Sequence, residues 1–121
     1  SVSSIENLDQ EYLNALQFHF ASPDHISYKD STIRHFAKQY QDVYIADPSA
    51  YYFQGFDIGN YYLSHLKNNG PDFFLNLDKY KFEGISTGFN FYRPDMETGF
   101  ENRAVYIYKY SNYQLQKLGW K

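Results

Sequence analysis

Between Asp47-Pro48 and Asn69-Gly70-Pro71 runs one uninterrupted stretch whose two ends both read as helix punctuation. Aspartate accepts orphan N–H groups, proline suits the first helical position, and glycine can take the left-handed cap before a second proline stops the helix. Almost every face between these ends has an apolar residue, including Tyr51, Tyr52, Phe53, Phe56, Ile58, Tyr62, Leu63 and Leu66. The pattern predicts a long helix packed on several sides. Gly55 and Gly59, four apart on one face, each cost about 1 kcal/mol against alanine in a helix interior. They predict the close approach of another backbone.

The flanks differ in period. Upstream, Ile33, Phe36, Ala37, Tyr40 and Tyr44 recur at helical spacing, predicting an amphipathic helix over Ser31 to Tyr44 capped by Asp30 or Ser31. Before it, Gln17-Phe-His-Phe-Ala alternates as a strand does and stops at Ser22-Pro23, Asp9 to Ala15 reads as a short helix, and Ser1 to Asn7 as a frayed polar end. Asp72 to Tyr80 reads as a short helix or irregular turn. From Lys81 the period becomes two, most clearly in Ala104 to Tyr110, with Tyr106, Tyr108 and Tyr110 opposite Val105, Ile107 and Lys109. Ser111-Asn112 then turns the chain into the alternating Tyr113 to Leu118. The expected architecture is α/β, with two main helices packed on short strands and antiparallel strands at the C-terminus.

At 121 residues the chain fits one domain, burying roughly two-thirds of its unfolded surface. Its 14 Tyr and 11 Phe exceed what such a core can enclose. Tyrosine tolerates half-burial, so a Tyr-rich surface is expected. A net charge of −3 without a basic cluster argues against a nucleic-acid partner or a polybasic membrane patch. No apolar run is long enough to span a membrane. Zero cysteines remove disulfides, thiolate chemistry and Cys-based zinc sites together.

Polar residues give little sign of chemistry. His19, His25, His35 and His65 have no spacing that puts two on one face for a metal. Asp95, Glu97 and Glu101 around Gly99 fail the calcium-loop pattern and read as a solvated turn. Ser64-His65 point in different directions on a helix, and no nucleophile elbow, phosphate loop or paired carboxylate occurs. The expectation is a protein that is not an enzyme, with no cofactor and no metal. Asp57, between Phe56 and Ile58, reads as a carboxylate on an exposed strip or paired with Lys or Arg, in preference to a ligand contact. The Tyr51-Tyr52-Phe53 run can stack on a solute or sugar, although packing is the leading reading.

In order, the Ser31 to Tyr44 helix, the Pro48-Ser49 link, the aromatic helix with Phe56-Asp57, Phe82-Glu-Gly-Ile-Ser-Thr-Gly-Phe-Asn-Phe and Gly99-Phe-Glu-Asn before the last strand pair form a recognisable series. It resembles the C-terminal third of type I periplasmic solute-binding proteins, the fold of branched-chain amino-acid receptors. The Gly99 step is similar to a subgroup of envelope proteins that carry lysin motifs. The resemblance implies a partial binding-protein fold, periplasmic or cell-envelope localisation, and a segment of a longer chain. It also implies a non-catalytic receptor for a small amino-acid-like solute, in amino-acid transport. Its ligand-cleft candidates are Tyr52 and Phe53, where the long helix borders the interlobe cleft, together with Asp57. Family members are about three times as long, and most of their solute-clasping residues lie outside the part matched here. A second reading is therefore an envelope module that binds protein or peptidoglycan without a small molecule. The isolated chain is expected to bind free amino acids weakly or not at all, and to pair as a two-fold dimer through a sheet edge or the long helix's apolar face.

Overall fold

The computed structural model describes residues 8–121, and the reading of Ser1 to Asn7 lies outside them. Helix α1 (Gln10–Ala15) is capped by Asp9, whose carboxylate accepts the Glu11 N–H. Strand β1 (His19–Ser22) follows, then helix α2 (Ser31–Tyr44), where the Asp30 carboxylate accepts the Thr32 N–H at 2.7 Å. Helix α3 (Ala50–Asn69) ends at Gly70 with φ of 78°, and a 3₁₀ segment (Pro71–Lys79) broken at Asn76 leads on to the strands. These are β2 (Phe82–Glu83), β3 (Gly88–Phe89), β4 (Phe91–Tyr92), β5 (Glu101–Asn102), β6 (Tyr106–Ser111) and β7 (Gln114–Trp120).

All the strand pairings among the described residues are antiparallel. β6 is the centre of a three-stranded sheet, with β1 on one side and β7 on the other, while β2 pairs with β3 and β4 with β5. The protein is thus a small mixed α/β domain. Alternation in β6 works as the sequence reading has it, because Tyr106, Tyr108 and Tyr110 are all buried on one face.

Two apolar clusters lie along α3. Ile33, Ala37 and Phe53 join α2 to the first turns of α3, and Tyr61, Phe73, Leu77 and Phe89 join the later turns of α3 to the 3₁₀ segment and β3. Phe53 and Tyr61 lie eight apart, and Asp57 stands midway between them on the same stripe. The stripe therefore has a carboxylate at its middle.

The structure corrects three expectations about α3. It begins at Ala50 with Ser49 as its cap residue, and Asp47 instead accepts a bond from Gln41 Nε2 at 2.6 Å on α2, away from the helix end. The helix is buried along only one stripe, because among the described residues no further layer covers its outer side. Tyr51 is 79% exposed there and Leu63 67%. Among the described residues, no other segment comes within 4 Å of the β-carbon positions of Gly55 or Gly59, so no second backbone approaches them there.

Burial also leaves a pH signature. The Tyr61 phenol is fully buried and donates to the Tyr80 carbonyl, and desolvation, with smaller contributions from Tyr62 and Tyr80, pushes its pKa up to about 12. Desolvation pushes Tyr106 and Tyr108 up as well. The unfolded chain loses these protons near pH 10, before the folded one does, so stability is intact below pH ~10 and falls above it. Each tyrosine contributes a slope of up to about 1.4 kcal/mol per pH unit. Denaturant titrations at pH 9, 10, 11 and 12 should show a falling midpoint. A midpoint flat through pH 11 would mean that these phenols titrate as if exposed.

Candidate functional site

The Phe82-Glu-Gly-Ile-Ser-Thr-Gly88 segment folds as a tight hairpin loop. β2 and β3 flank Gly84-Ile85-Ser86-Thr87, and the Gly84 N–H donates to the Thr87 carbonyl at 3.0 Å. This curl turns three successive backbone N–H groups inward, a concave nest suited to an anion. The chain fills it with its own carboxylate. Asp57 Oδ1 accepts from Ile85 N at 2.8 Å, and Oδ2 accepts from Ser86 N at 2.8 Å, Thr87 N at 2.8 Å and Ser86 Oγ at 2.9 Å. Asp57 is 0% exposed. A carboxylate has acceptor sites for all four donors, and no cation is needed to satisfy it.

This corrects the expected place of Asp57, which is neither on an exposed strip nor in an ion pair. Gly84 is required by the same geometry. A β-carbon there would lie 2.4 Å from Asp57 Cγ and Oδ1 and 2.5 Å from the Thr87 carbonyl oxygen.

The loop is tied to the N-terminal part of the chain. His25 N donates to the Ser86 carbonyl at 2.7 Å, and Asp24 forms an isolated antiparallel bridge with Thr87. The Tyr108 hydroxyl reaches up from β6 to donate to the Asp24 carbonyl at 3.1 Å, and His25 Nδ1 lies 2.5 Å from the same hydroxyl. His25 has its pKa lowered, first by burial and then by the Lys117 charge. A neutral ring therefore suits this spot.

Where these pieces meet α3 there is a cleft of about 200 Å³, lined by Asp24, Ile26, Ala50, Tyr51, Gln54, Ser86 and Thr87. One wall is the first turn of α3. The Ser49 side chain makes no capping bond there, and a helix cannot satisfy its own first N–H groups. The other wall has the Asp24 carboxylate, held by a bond from Ser22 Oγ at 2.8 Å. The cleft thus pairs a partly positive wall with a negative one.

None of the three sequence candidates lines this cleft. Tyr52 is half-buried against Tyr40, Phe53 is buried between α2 and α3, and Asp57 holds the Ser86-Thr87 wall in place. The residues that sequence reasoning missed are Asp24, Gln54, Ser86 and Thr87. Only Ser86 and Thr87 had a signal, as the small polar pair between two glycines.

Other motifs resolve as structure. Asn102 Oδ1 accepts the Asn90 and Ala104 N–H groups while its Nδ2 donates to Gly88, and Asp95 accepts the Glu97 and Thr98 N–H groups within its own turn. Among the described residues no three His, Asp or Glu side chains gather as a metal site, and no helix is long and apolar enough to cross a membrane. Comparisons of the chain with protein-family models, with curated proteins and with solved structures find no match.

Proposed function

We propose that the chain is a non-catalytic solute-receptor module of the bacterial cell envelope. On this reading it is part of a type I periplasmic-binding-protein fold that takes a small amino-acid-like solute. The observation that carries the reading is the cleft at the start of α3, where the resemblance puts the border of the interlobe cleft. A free amino acid has one cationic and one anionic end. Its carboxylate suits the uncapped turn at Ala50 and Tyr51 and the Thr87 hydroxyl, and its ammonium suits Asp24. A volume of about 200 Å³ admits a small side chain as well.

One wall pair does not enclose a solute. A cleft walled on these two sides leaves both charged ends much of their water, and affinity is in the millimolar range. The test is a titration of isotope-labelled protein with glycine, serine and leucine up to about 50 mM, following backbone amide signals, with millimolar binding near −4 kcal/mol as the scale. Saturating shifts at Asp24, Ala50, Tyr51, Ser86 and Thr87, lost in Asp24→Asn, are expected. Unchanged amides across the series would end the receptor reading and leave the interaction-module alternative, which the apolar outer face of α3 favours.

A further inference from the structure

We infer that the outer face of α3 is a self-complementary docking surface for a second copy of this chain, crossing antiparallel about a two-fold axis between Ile58 and Gly59. Along the line opposite the Phe53-Asp57-Tyr61 stripe, at 100° per residue, lie Tyr51, Gly55, Ile58, Gly59, Tyr62 and Leu66. Read from either end about that axis, the series pairs Tyr51 with Leu66, Gly55 with Tyr62, and Ile58 with Gly59. Each glycine of one copy meets a large side chain of the other. The face is a set of knobs and vacant positions that fits its own inverse.

The structure leaves both halves of this fit unused. The β-carbon positions of Gly55 and Gly59 have nothing within 4 Å, while Tyr51, Ile58, Tyr62 and Leu66 are all exposed. Two glycines in a helix interior weaken it and return no contact with another segment among the described residues. Charge does not oppose the pairing, because the only ionisable Asp, Glu, Lys or Arg residues of α3 are the buried Asp57 and Lys67, which lies beyond the face.

The area suits a weak dimer. Taking ~200 Å² for a fully exposed aromatic side chain and somewhat less for an aliphatic one, the exposed parts of Tyr51, Ile58, Tyr62 and Leu66 come to about 400 Å² per copy. The pair would bury about 800 Å², the size of a weak, transient contact. Such a face is also as large as the biggest apolar patch a monomer ordinarily leaves open. Two-fold closure consumes the surface on both copies, so the assembly stops at two.

The dimer should dissociate with a constant of tens of micromolar in sedimentation equilibrium between 5 and 500 µM, and Leu66→Glu should make it monomeric with unchanged circular dichroism. Gly59→Ala gives an opposite pair of readings that a structural role for the glycine would not: a higher melting temperature when dilute, and dimerisation weakened at least tenfold. Because the chain has no cysteine, Ile58→Cys should cross-link copies under mild oxidation, and Leu118→Cys on the exposed side of β7 should not. A monomer at 500 µM, or a dimer indifferent to Leu66→Glu, overturns the proposal, the latter result moving the contact to a sheet edge.

Discussion

Asp57→Ala is expected to cost about 4 kcal/mol or more, enough to unfold much of the population of a domain whose total stability is ordinarily 5–15 kcal/mol. The substitution removes the acceptor for three backbone N–H groups and one hydroxyl in a place where Asp57 and Ser86 are shut off from water. Each stranded donor costs roughly 1–3 kcal/mol, and relaxation of the loop recovers part of the sum. Asp57→Asn should be milder, since an amide oxygen can still serve the Ser86 and Thr87 donors while its NH₂ is forced against the Ile85 N–H. Urea denaturation of the three proteins should rank them Asp, Asn, Ala. A loss under 1 kcal/mol for Asp57→Ala would mean that the hairpin loop holds its shape without the helix.

Gly84→Ala is expected to be comparably severe, although it adds one methyl group. The added carbon meets the Asp57 carboxylate at 2.4 Å and the Thr87 carbonyl oxygen at 2.5 Å, and the carboxylate is held by four bonds and cannot swing aside. Either the nest opens or the helix moves, and each route breaks several buried bonds, so a loss above ~3 kcal/mol follows. The double variant Asp57→Ala with Gly84→Ala tests the cause. Removing the carboxylate clears the nearest clash, so the double change should cost clearly less than the two single changes added together. Strict additivity would assign the Gly84 effect to some other contact.

Much of the fold can be read from local signals. The Asp30 cap, the Gly70 stop, the β6 alternation and the turn after Ser111 all depend on residues within a few positions of one another. The errors arise where a partner on another element, or the lack of a covering layer, decides the outcome. Asp57 looks solvent-facing in its own helix because its donors come from a loop 28 to 30 residues later. Asp47 beside Pro48 resembles a cap, yet a tertiary partner, Gln41, draws it away. The apolar residues around α3 suggest burial on several sides, but hydrophobic pattern records which faces avoid water and not whether this chain has a layer to cover them. The cleft was least legible, since Asp24, Tyr51 and Thr87 come from three separate segments and each is ordinary alone.

The placement of β1 has a consequence for the order of events during synthesis. His19 lies opposite Lys109, about 90 positions later, so the strand leaves the ribosome long before the hairpin that receives it. At 5–20 residues per second that interval is roughly 5–20 seconds. Within it α2, α3 and the Asp57-anchored loop are completed in turn, whereas the β1 segment waits unpaired. The helical half can therefore form first on local contacts, the β6–β7 hairpin can close next on its short turn, and the docking of β1 is left as the slow, long-range step. A nascent chain stalled just before Ala104 would hold the Ser86-Thr87 loop without the Tyr108 strut beneath it.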